Sequence, residues 1–218
     1  KVVRYIKKIN NFCFTMGGFI KMSLTLNLGK ATVDSGKFKA NSEVVIGNST
    51  YSISASGTEL SLGNIGKLEL SNNGKDITFV AGSDFSGEFK LGDSIGSGSA
   101  SVVAVDFNKA GGAVSFDAKG TDVVTITGSD YNDKLLSNIN GAIIDGGDGD
   151  DTITFSGKTT VGATIVGNKG NDKISVTEMA SVSISDAEGD DTYVISGKGA
   201  NVTIDDTKGS DNVKISGA

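Results

Sequence analysis

The sequence predicts an all-β protein whose second half is a parallel β-solenoid. Three observations favour this fold. Glycine supplies 31 of 218 residues and proline none, which suits a chain of many tight turns without proline breaks. Val, Ile, Ser and Thr outweigh the aromatic residues, which favours strands over helices. A glycine- and aspartate-rich motif also recurs through the second half, each time followed by alternating apolar residues.

The composition excludes several classes of enzyme. Histidine is absent and cysteine occurs once. Ser-His-Asp triads, Cys-His dyads, histidine-ligated zinc sites and an intrachain disulfide framework are therefore all excluded. We expect no catalytic activity from this chain itself.

Residues 1–21 read differently from the rest of the chain, because they hold basic residues, no acidic residue and the single cysteine. We interpret them as a translated leader that is not part of the fold, with Met22 as the true start. The codons of Gly17-Gly18 can spell a ribosome-binding purine run at a suitable spacing before Met22. A signal peptide is the alternative, but Asn10 and Asn11 interrupt its apolar segment.

Residues 22–121 are predicted to form a β-rich region of their own. Short alternating runs are separated by turn signals, a spacing that suits either a small sandwich or an extension of the solenoid. We favour the solenoid slightly, because no linker-like change in composition precedes Val123. The runs are Glu43–Ile46, Tyr51–Ala55, Glu59–Leu62, Lys67–Leu70, Asp76–Val80, Glu88–Leu91, Val102–Phe107 and Ala113–Phe116.

The acidity of the chain is concentrated in its second half. Residues 122–218 hold 16 acidic and 7 basic residues, a net charge of −9. This balance argues against nucleic acid as a partner and favours cations. The absence of arginine and cysteine after residue 21 suits a secreted bacterial protein that does not depend on oxidation.

The second half repeats a motif of nine residues, whose positions we call places one to nine. We call the five copies the acidic corners. Place six is Asp in every copy, and the copies are 18, 21, 19 and 20 residues apart. The corners are GSDYNDKLL (128–136), GGDGDDTIT (146–154), GNKGNDKIS (167–175), DAEGDDTYV (186–194) and DTKGSDNVK (206–214).

Apolar residues flank each acidic corner at alternate positions. Two short strands and one corner thus account for each period, and stacked periods would bury continuous ladders of Ile and Val. Place eight holds Leu135, Ile153, Ile174, Tyr193 and Val213. Upstream lie Val124 and Ile126, Ala142 and Ile144, Ala163 and Ile165, Val182 and Ile184, and Val202 and Ile204. This pattern is typical of a β-solenoid.

The corner Gly146–Thr154 fits the pattern G-G-x-G-x-D-x-U-x without a mismatch. Residues 122–218 therefore resemble the calcium-binding nonapeptide repeats of the repeats-in-toxin (RTX) family, whereas residues 22–121 do not. The resemblance implies a parallel β-roll that binds calcium between stacked corners. It also implies export in an unfolded state by type I secretion, with folding outside the cell.

The resemblance also implies a set of calcium ligands. The side-chain ligands would be the place-six aspartates Asp133, Asp151, Asp172, Asp191 and Asp211, with Asp130 and Asp148 at place three beside them. The carbonyl ligands would come from Gly128, Gly146, Gly147, Gly149, Gly167, Gly170 and Gly189. Oxygen ligands in irregular geometry suit calcium better than magnesium or zinc.

Two departures from the family pattern refine this expectation. The second corners, around 158–162, 177–181 and 197–200, lack Asp, so we expect calcium along one edge only, at up to four sites. Place one is Asp186 and Asp206 rather than Gly in the last two corners. We therefore expect 146–151 over 167–172 to form the best site and 186–191 over 206–211 to form a doubtful one.

Three functions from different classes remain open. The one we expect is a secreted, non-catalytic, calcium-stabilised module of structural or adhesive use. The second is the carrier domain of a larger toxin or secreted hydrolase. The third, a polysaccharide-active solenoid enzyme, is disfavoured because its best carboxylate pairs lie in the corners that calcium would occupy.

The expected partners are calcium ions, with cell-surface or matrix components as further candidates. The chain stops at Ala218 directly after a repeat. Either the gene continues, or this end adds subunits end to end. No nucleic acid and no membrane span is expected, and the expected location is extracellular or at the cell surface.

Overall fold

A computed structural model describes most of the second half of the chain and separate strands of the first half. The described residues are 22–27, 33–34, 37–38, 43–46, 49–52, 59–61, 66–70, 76–91, 101–158, 161–178, 181–196 and 198–217. They form strands and turns, and among them there is no helix long and apolar enough to cross a membrane. The proposed leader, 1–21, lies outside the described residues.

The described strands follow one another closely along the chain. They are β1 Met22–Asn27, β2 Val33–Asp34, β3 Lys37–Phe38, β4 Glu43–Ile46, β5 Ser49–Ser52, β6 Glu59–Ser61, β7 Gly66–Leu70, β8 Asp76–Ala81, β9 Gly87–Leu91, β10 Ser101–Asp106, β11 Val114–Asp117, β12 Thr125–Thr127, β13 Lys134–Ser137, β14 Ile143–Asp145, β15 Thr152–Phe155, β16 Ala163–Val166, β17 Lys173–Val176, β18 Ser181–Asp186, β19 Thr192–Ile195, β20 Asn201–Asp206 and β21 Asn212–Ile215.

From β8 onward, successive strands alternate between two long sheets. One sheet has the order β21-β19-β17-β15-β13-β11-β9-β1-β4-β5, and the other has the order β20-β18-β16-β14-β12-β10-β8-β7-β6. Neighbouring strands from β8 to β21 are parallel within each sheet, as a solenoid requires. The predicted all-β fold with a parallel solenoid is confirmed, with five of its turns carrying the acidic corners.

Strands β4 to β11 lie close to the runs predicted for residues 22–121, whereas β1, β2 and β3 match none of the predicted runs. Strand β10 pairs in parallel with both β8 and β12, so the sheets continue across residue 122. At the far end the pairing becomes antiparallel, between β6 and β7 and between β4 and β5. Most of the described strands of the first half thus extend the two sheets of the solenoid, whereas β2 and β3 pair only with each other.

The interior contains the expected ladders of apolar side chains. Because the strands pair in register, Ile144 lies directly beside Ile165, and Ile153 lies beside Ile174. The corresponding residues of neighbouring turns, Ile126, Ile184, Leu135 and Tyr193, are also buried. Each buried side chain of this size contributes roughly 1.5–3 kcal/mol, so the ladder is a principal source of stability.

The predicted strand register is wrong in one place and incomplete in another. Val124 is 40% exposed, whereas Val123 is fully buried. The reason is that β12 begins only at Thr125, so the alternation does not extend back to Val124. In β21, Val213 and Ile215 are exposed because no further described strand covers this edge.

The first turns of the solenoid are packed by aromatic rather than aliphatic side chains. Phe79 stacks on Phe89 with 4.3 Å between ring centroids, and Phe85 stacks on Phe107 at 5.8 Å. Phe116 packs against this group from the next turn. Edge-to-face and offset contacts of this kind add to the burial of apolar area.

The connections between strands have a constant length at the acidic edge of the solenoid and a variable length at the opposite edge. Across the acidic edge, each inward residue is followed nine residues later by the next, as from Ile144 to Ile153 and from Ile165 to Ile174. The opposite edge absorbs all the variation between periods of 18, 21, 19 and 20 residues. The connections through the acidic corners therefore all have the same number of residues, and those through the second corners do not.

The adjacent residues Ile143 and Ile144 provide a test of the strand register. Ile144 is fully buried, whereas Ile143 is 49% exposed. We expect Ile144→Ala to lower the free energy of unfolding by about 2–5 kcal/mol through lost burial and a cavity. Ile143→Ala should change it by less than about 1 kcal/mol. Urea unfolding of both variants measures this, and equal effects would show a register shifted by one residue.

Candidate metal site

The acidic corners are tight because glycine occupies positions that other residues would strain. At place four of the second corner, Gly149 has a φ of 120°, which lies outside the range of most side-chain-bearing residues. At place one, a Cβ on Gly146 would lie against Oδ2 of Asp151, closer than contact distance. Glycine thus allows the backbone to turn at place four and to approach a carboxylate at place one.

The place-six carboxylates form a ladder of hydrogen bonds between turns. Oδ1 of Asp151 accepts the backbone N–H of Asp133 at 2.7 Å, and Oδ1 of Asp172 accepts that of Asp151 at 2.7 Å. Asp191 accepts from Asp172 at 2.7 Å, and Asp211 accepts from Asp191 at 3.0 Å. Each carboxylate therefore satisfies a backbone donor of the preceding turn.

The second oxygen of three of these carboxylates has no partner. Asp151, Asp172 and Asp191 are at most 2% exposed, and their Oδ2 atoms are buried without a hydrogen bond. A buried carboxylate oxygen without a donor or counter-ion is costly, so these atoms require a proton or a cation. They are the strongest indication of a ligand in the described part of the chain.

The first corner is different, because Ser129 of the same corner satisfies the second oxygen of its carboxylate. Asp133 accepts hydrogen bonds from the N–H of Val114 at 2.7 Å and from the N–H of Ser129 at 2.6 Å. The hydroxyl of Ser129 donates to the same carboxylate. Asp133 is buried, and Ser129 supplies donors to both of its carboxylate oxygens.

Burial raises the pKa of the stacked carboxyls well above the usual value for Asp. For Asp151 the pKa rises to about 9, through loss of solvation and then repulsion from Asp133, Asp172 and Asp145. Burial likewise raises the pKa of Asp172 to about 7, with Asp186 and Asp191 as the nearest repelling groups. The corner therefore favours neutralisation of its carboxylates at neutral pH.

A second ladder, at place five, runs in the opposite direction on the exposed side. Oδ1 of Asp150 accepts the N–H of Asn171 at 2.8 Å, and Oδ1 of Asn171 accepts that of Asp190 at 2.8 Å. In the same way, Oδ1 of Asn132 accepts the N–H of Asp150, and Oδ1 of Asp190 accepts the N–H of Ser210. Place five thus bonds forward to the next turn, whereas place six bonds back to the preceding one.

The place-three residues expected beside the ligands lie on the outer side of the corners. Asp130 is exposed. Asp148 forms an ion pair of 2.8 Å with Lys169 of the next turn, and Glu188 forms one of 2.6 Å with Lys208. These two pairs link turns across the surface, away from the buried oxygens.

The glycines expected to supply carbonyl ligands stack closely between turns. The carbonyl oxygen of Gly146 lies against Gly128 of the preceding turn, and that of Gly149 lies against Gly170 of the following turn. The carbonyl oxygen of Gly170 in turn lies against Gly189. Gly147 and Gly167 belong to the same stack of corners, and the amide of Gly167 bonds to the carbonyl of Ser185.

Two residues outside the expected ligand set complete the carboxylate clusters. Asp172, Asp186 and Asp191 bring their oxygens within 4.8 Å of one another, and Asp191, Asp206 and Asp211 do the same. Asp186 and Asp206 occupy place one, where the family pattern has glycine. Their presence in both of the last two corners was the signal that could have found them. The cluster of Asp191, Asp206 and Asp211 lies at the pair of corners expected to be doubtful, and the cluster of Asp172, Asp186 and Asp191 lies one turn before it.

Tyr193 joins the two place-one aspartates from inside the solenoid. Its hydroxyl lies 3.0 Å from Oδ2 of Asp186 and 2.7 Å from Oδ2 of Asp206. Burial, together with these two carboxylates, raises the pKa of the phenol, which therefore stays protonated. A phenol has one proton to donate, so only one of the two carboxylates can receive it.

Comparisons with known proteins identify no relative of this chain. No family model, no curated protein and no solved structure matches it. The properties of the site therefore follow from the geometry described above.

The raised pKa values predict how the stability of the metal-free protein depends on pH. The pKa values of Asp151, Asp172 and Asp186 rise in the folded state from 3.8 to about 9, 7 and 6. The folded state therefore binds more protons than the unfolded state, and stability should fall as pH rises above about 4. Denaturant unfolding in EDTA at about pH 5 and about pH 8 measures this slope.

The double variant Asp151→Asn with Asp172→Asn is the matched control, because an amide oxygen can still accept the backbone N–H. Its stability should change less over the same pH range. An identical slope in the variant would contradict the role assigned to these carboxyls.

Proposed function

We propose that the chain is a non-catalytic, extracellular β-solenoid module that is stabilised by calcium along its acidic edge. The observation that carries this proposal is the set of buried Oδ2 atoms of Asp151, Asp172 and Asp191, which have neither a donor nor a counter-ion. They lie at consecutive corners, so cations bound there would link turn to turn. The resemblance of the corners to RTX nonapeptides supports the same ion.

The ligand chemistry favours calcium over other divalent ions. Carboxylate and carbonyl oxygens surround the corner, and no His or Cys other than Cys13 exists to favour zinc or copper. Calcium accepts six to eight oxygens in irregular arrangements, whereas magnesium requires a regular octahedron. The stacked backbone fixes where the oxygens of each corner lie, so calcium, which accepts irregular arrangements, suits these corners better than magnesium.

An extracellular location would suit sites of this kind. Extracellular calcium modules have dissociation constants of about 10⁻⁴–10⁻³ M, which calcium outside a cell can saturate. Binding to the folded form alone then shifts the folding equilibrium towards the solenoid. We propose a structural or adhesive use, because the place-six carboxylates bond each turn to the preceding one.

A calcium titration of the full chain tests this proposal. At about pH 7.5 we expect calcium, but not magnesium at equal concentration, to raise the thermal midpoint, because bound ligand stabilises by RT ln(1 + [L]/Kd). At [L] of about 100 Kd this amounts to about 2.7 kcal/mol per site. Far-UV circular dichroism follows both the β signal and the midpoint.

Two Asp→Asn variants separate specific binding from a general effect of charge. Asp172→Asn should reduce the calcium-induced shift, because Asp172 is part of the third corner and faces carboxylates of both the second and the fourth. Asp84→Asn removes an exposed charge from the corner between β8 and β9 and should leave the shift unchanged. A full shift in Asp172→Asn, or none in the unaltered protein, would refute calcium binding at these corners.

A further inference from the structure

The last two acidic corners contain more carboxylates than the family pattern provides. Asp186 at place one adds a third buried carboxylate to the pair Asp172 and Asp191, and all three are at most 3% exposed. Within the described part of the chain, no lysine forms an ion pair with any of the three. A cluster of this charge has a strong requirement for a cation.

An independent observation points to a ligand at this place. The Oδ2 atoms of Asp172 and Asp191 are buried and unpartnered, so two of the three carboxylates present a free oxygen. Asp186 uses Oδ1 to accept the N–H of Ala187 at 2.9 Å, and its Oδ2 faces the Tyr193 hydroxyl. Because Asp206 competes for the same phenolic proton, the hydrogen bond cannot satisfy both place-one carboxylates at once.

Place one of the preceding corner is Gly167, and oxygens of Asp172 and Asp186 lie around the position that its Cβ would take. A Cβ at Gly167 would lie 2.6 Å from Oδ2 of Asp172 and 2.6 Å from Oδ1 of Asp186. Gly167 has no left-handed φ, so it is required for the space it leaves rather than for its backbone conformation. The carboxylates therefore surround a position that a side chain would fill.

We propose that Asp172, Asp186 and Asp191 form a separate cation site, the tightest on the chain, in which Tyr193 positions Asp186. This inference rests on the proposed calcium binding and adds a site that differs from the other corners in its ligands. Three carboxylates converge here, whereas the described carboxylates of the second and third corners form no such group of three between them. A higher count of charged ligands raises calcium affinity, so this site fills first.

The neighbouring cluster of Asp191, Asp206 and Asp211 extends the same site towards the last turn. It shares Asp191 with the first cluster, but Asp211 is exposed, so its ligands are better solvated and less in need of a counter-ion. A cation bound in the first cluster also neutralises part of the negative charge of Asp191, which the second cluster shares. The two clusters are therefore expected to fill in order, with the buried one first.

Terbium luminescence in the full chain tests the position of this site. Terbium replaces calcium at oxygen sites and emits when a nearby tyrosine is excited. At less than one terbium per chain we expect tyrosine-sensitised emission that calcium competes away. The emission should be lost in Tyr193→Phe and retained in Tyr131→Phe, since Tyr131 is an exposed place-four residue of the first corner.

Calcium calorimetry of three variants and one control tests the ligands. Asp186→Asn should weaken the first binding event by about tenfold or more, and Tyr193→Phe, which removes a hydrogen bond to a ligand, should weaken it by about tenfold. Gly167→Ala should abolish the event by filling the space. Gly162→Ala, whose Cβ would meet nothing closer than 3.7 Å, is its matched control and should bind as the unaltered protein does.

The outcomes separate this inference from the proposed function. If the full chain binds neither calcium nor terbium, the proposed function fails and this site fails with it. If the chain binds calcium but Asp186→Asn leaves the first event unchanged, only this site is refuted. Emission that persists in Tyr193→Phe would likewise place the first cation elsewhere.

Discussion

The bond between the place-six carboxylate and the backbone of the preceding turn is the interaction on which the solenoid depends. It brings adjacent corners together at a fixed distance, and the apolar ladders of Ile144, Ile165 and their neighbours align only when the corners do. The same bond accompanies burial of the place-six carboxyl group in four of the five acidic corners. The neutral amide of Asn could accept the same N–H without adding a carboxylate. Because the residue is Asp, the stacking of turns depends on neutralisation of the buried carboxylates.

The two polar ladders of the acidic edge have opposite directions and different environments. Place six bonds backward from a buried position, as Asp172 does to Asp151, whereas place five bonds forward from an exposed one, as Asp150 does to Asn171. Each corner is thus held to both neighbours by separate groups. Among the described residues, the buried oxygens without a partner all belong to the place-six ladder, where the need for a proton or a cation is greatest. In a stack where each turn contacts only its neighbours, this response acts at the interface between turns.

The fold could be predicted from the sequence because the alternation of apolar residues and the recurrent Asp repeat with one period. The same reasoning failed at Val124, since the start of β12 depends on pairing with β10 rather than on local pattern. The candidate site was predictable at Asp151 and Asp172, which match the family motif. Asp186 was not, because an Asp at place one looks like a lost glycine until the parallel register brings it to Tyr193.

The acidic edge has a constant length, and the opposite edge does not. Ile144 and Ile153 are separated by the same nine residues as Ile165 and Ile174, and changing that number would misalign both polar ladders at once. The second corners already differ by several residues from turn to turn, with the ladders intact. Insertions are therefore tolerated on one edge only. The acidic edge fixes the register of the solenoid, and new surface loops can be added at the opposite edge without altering that register.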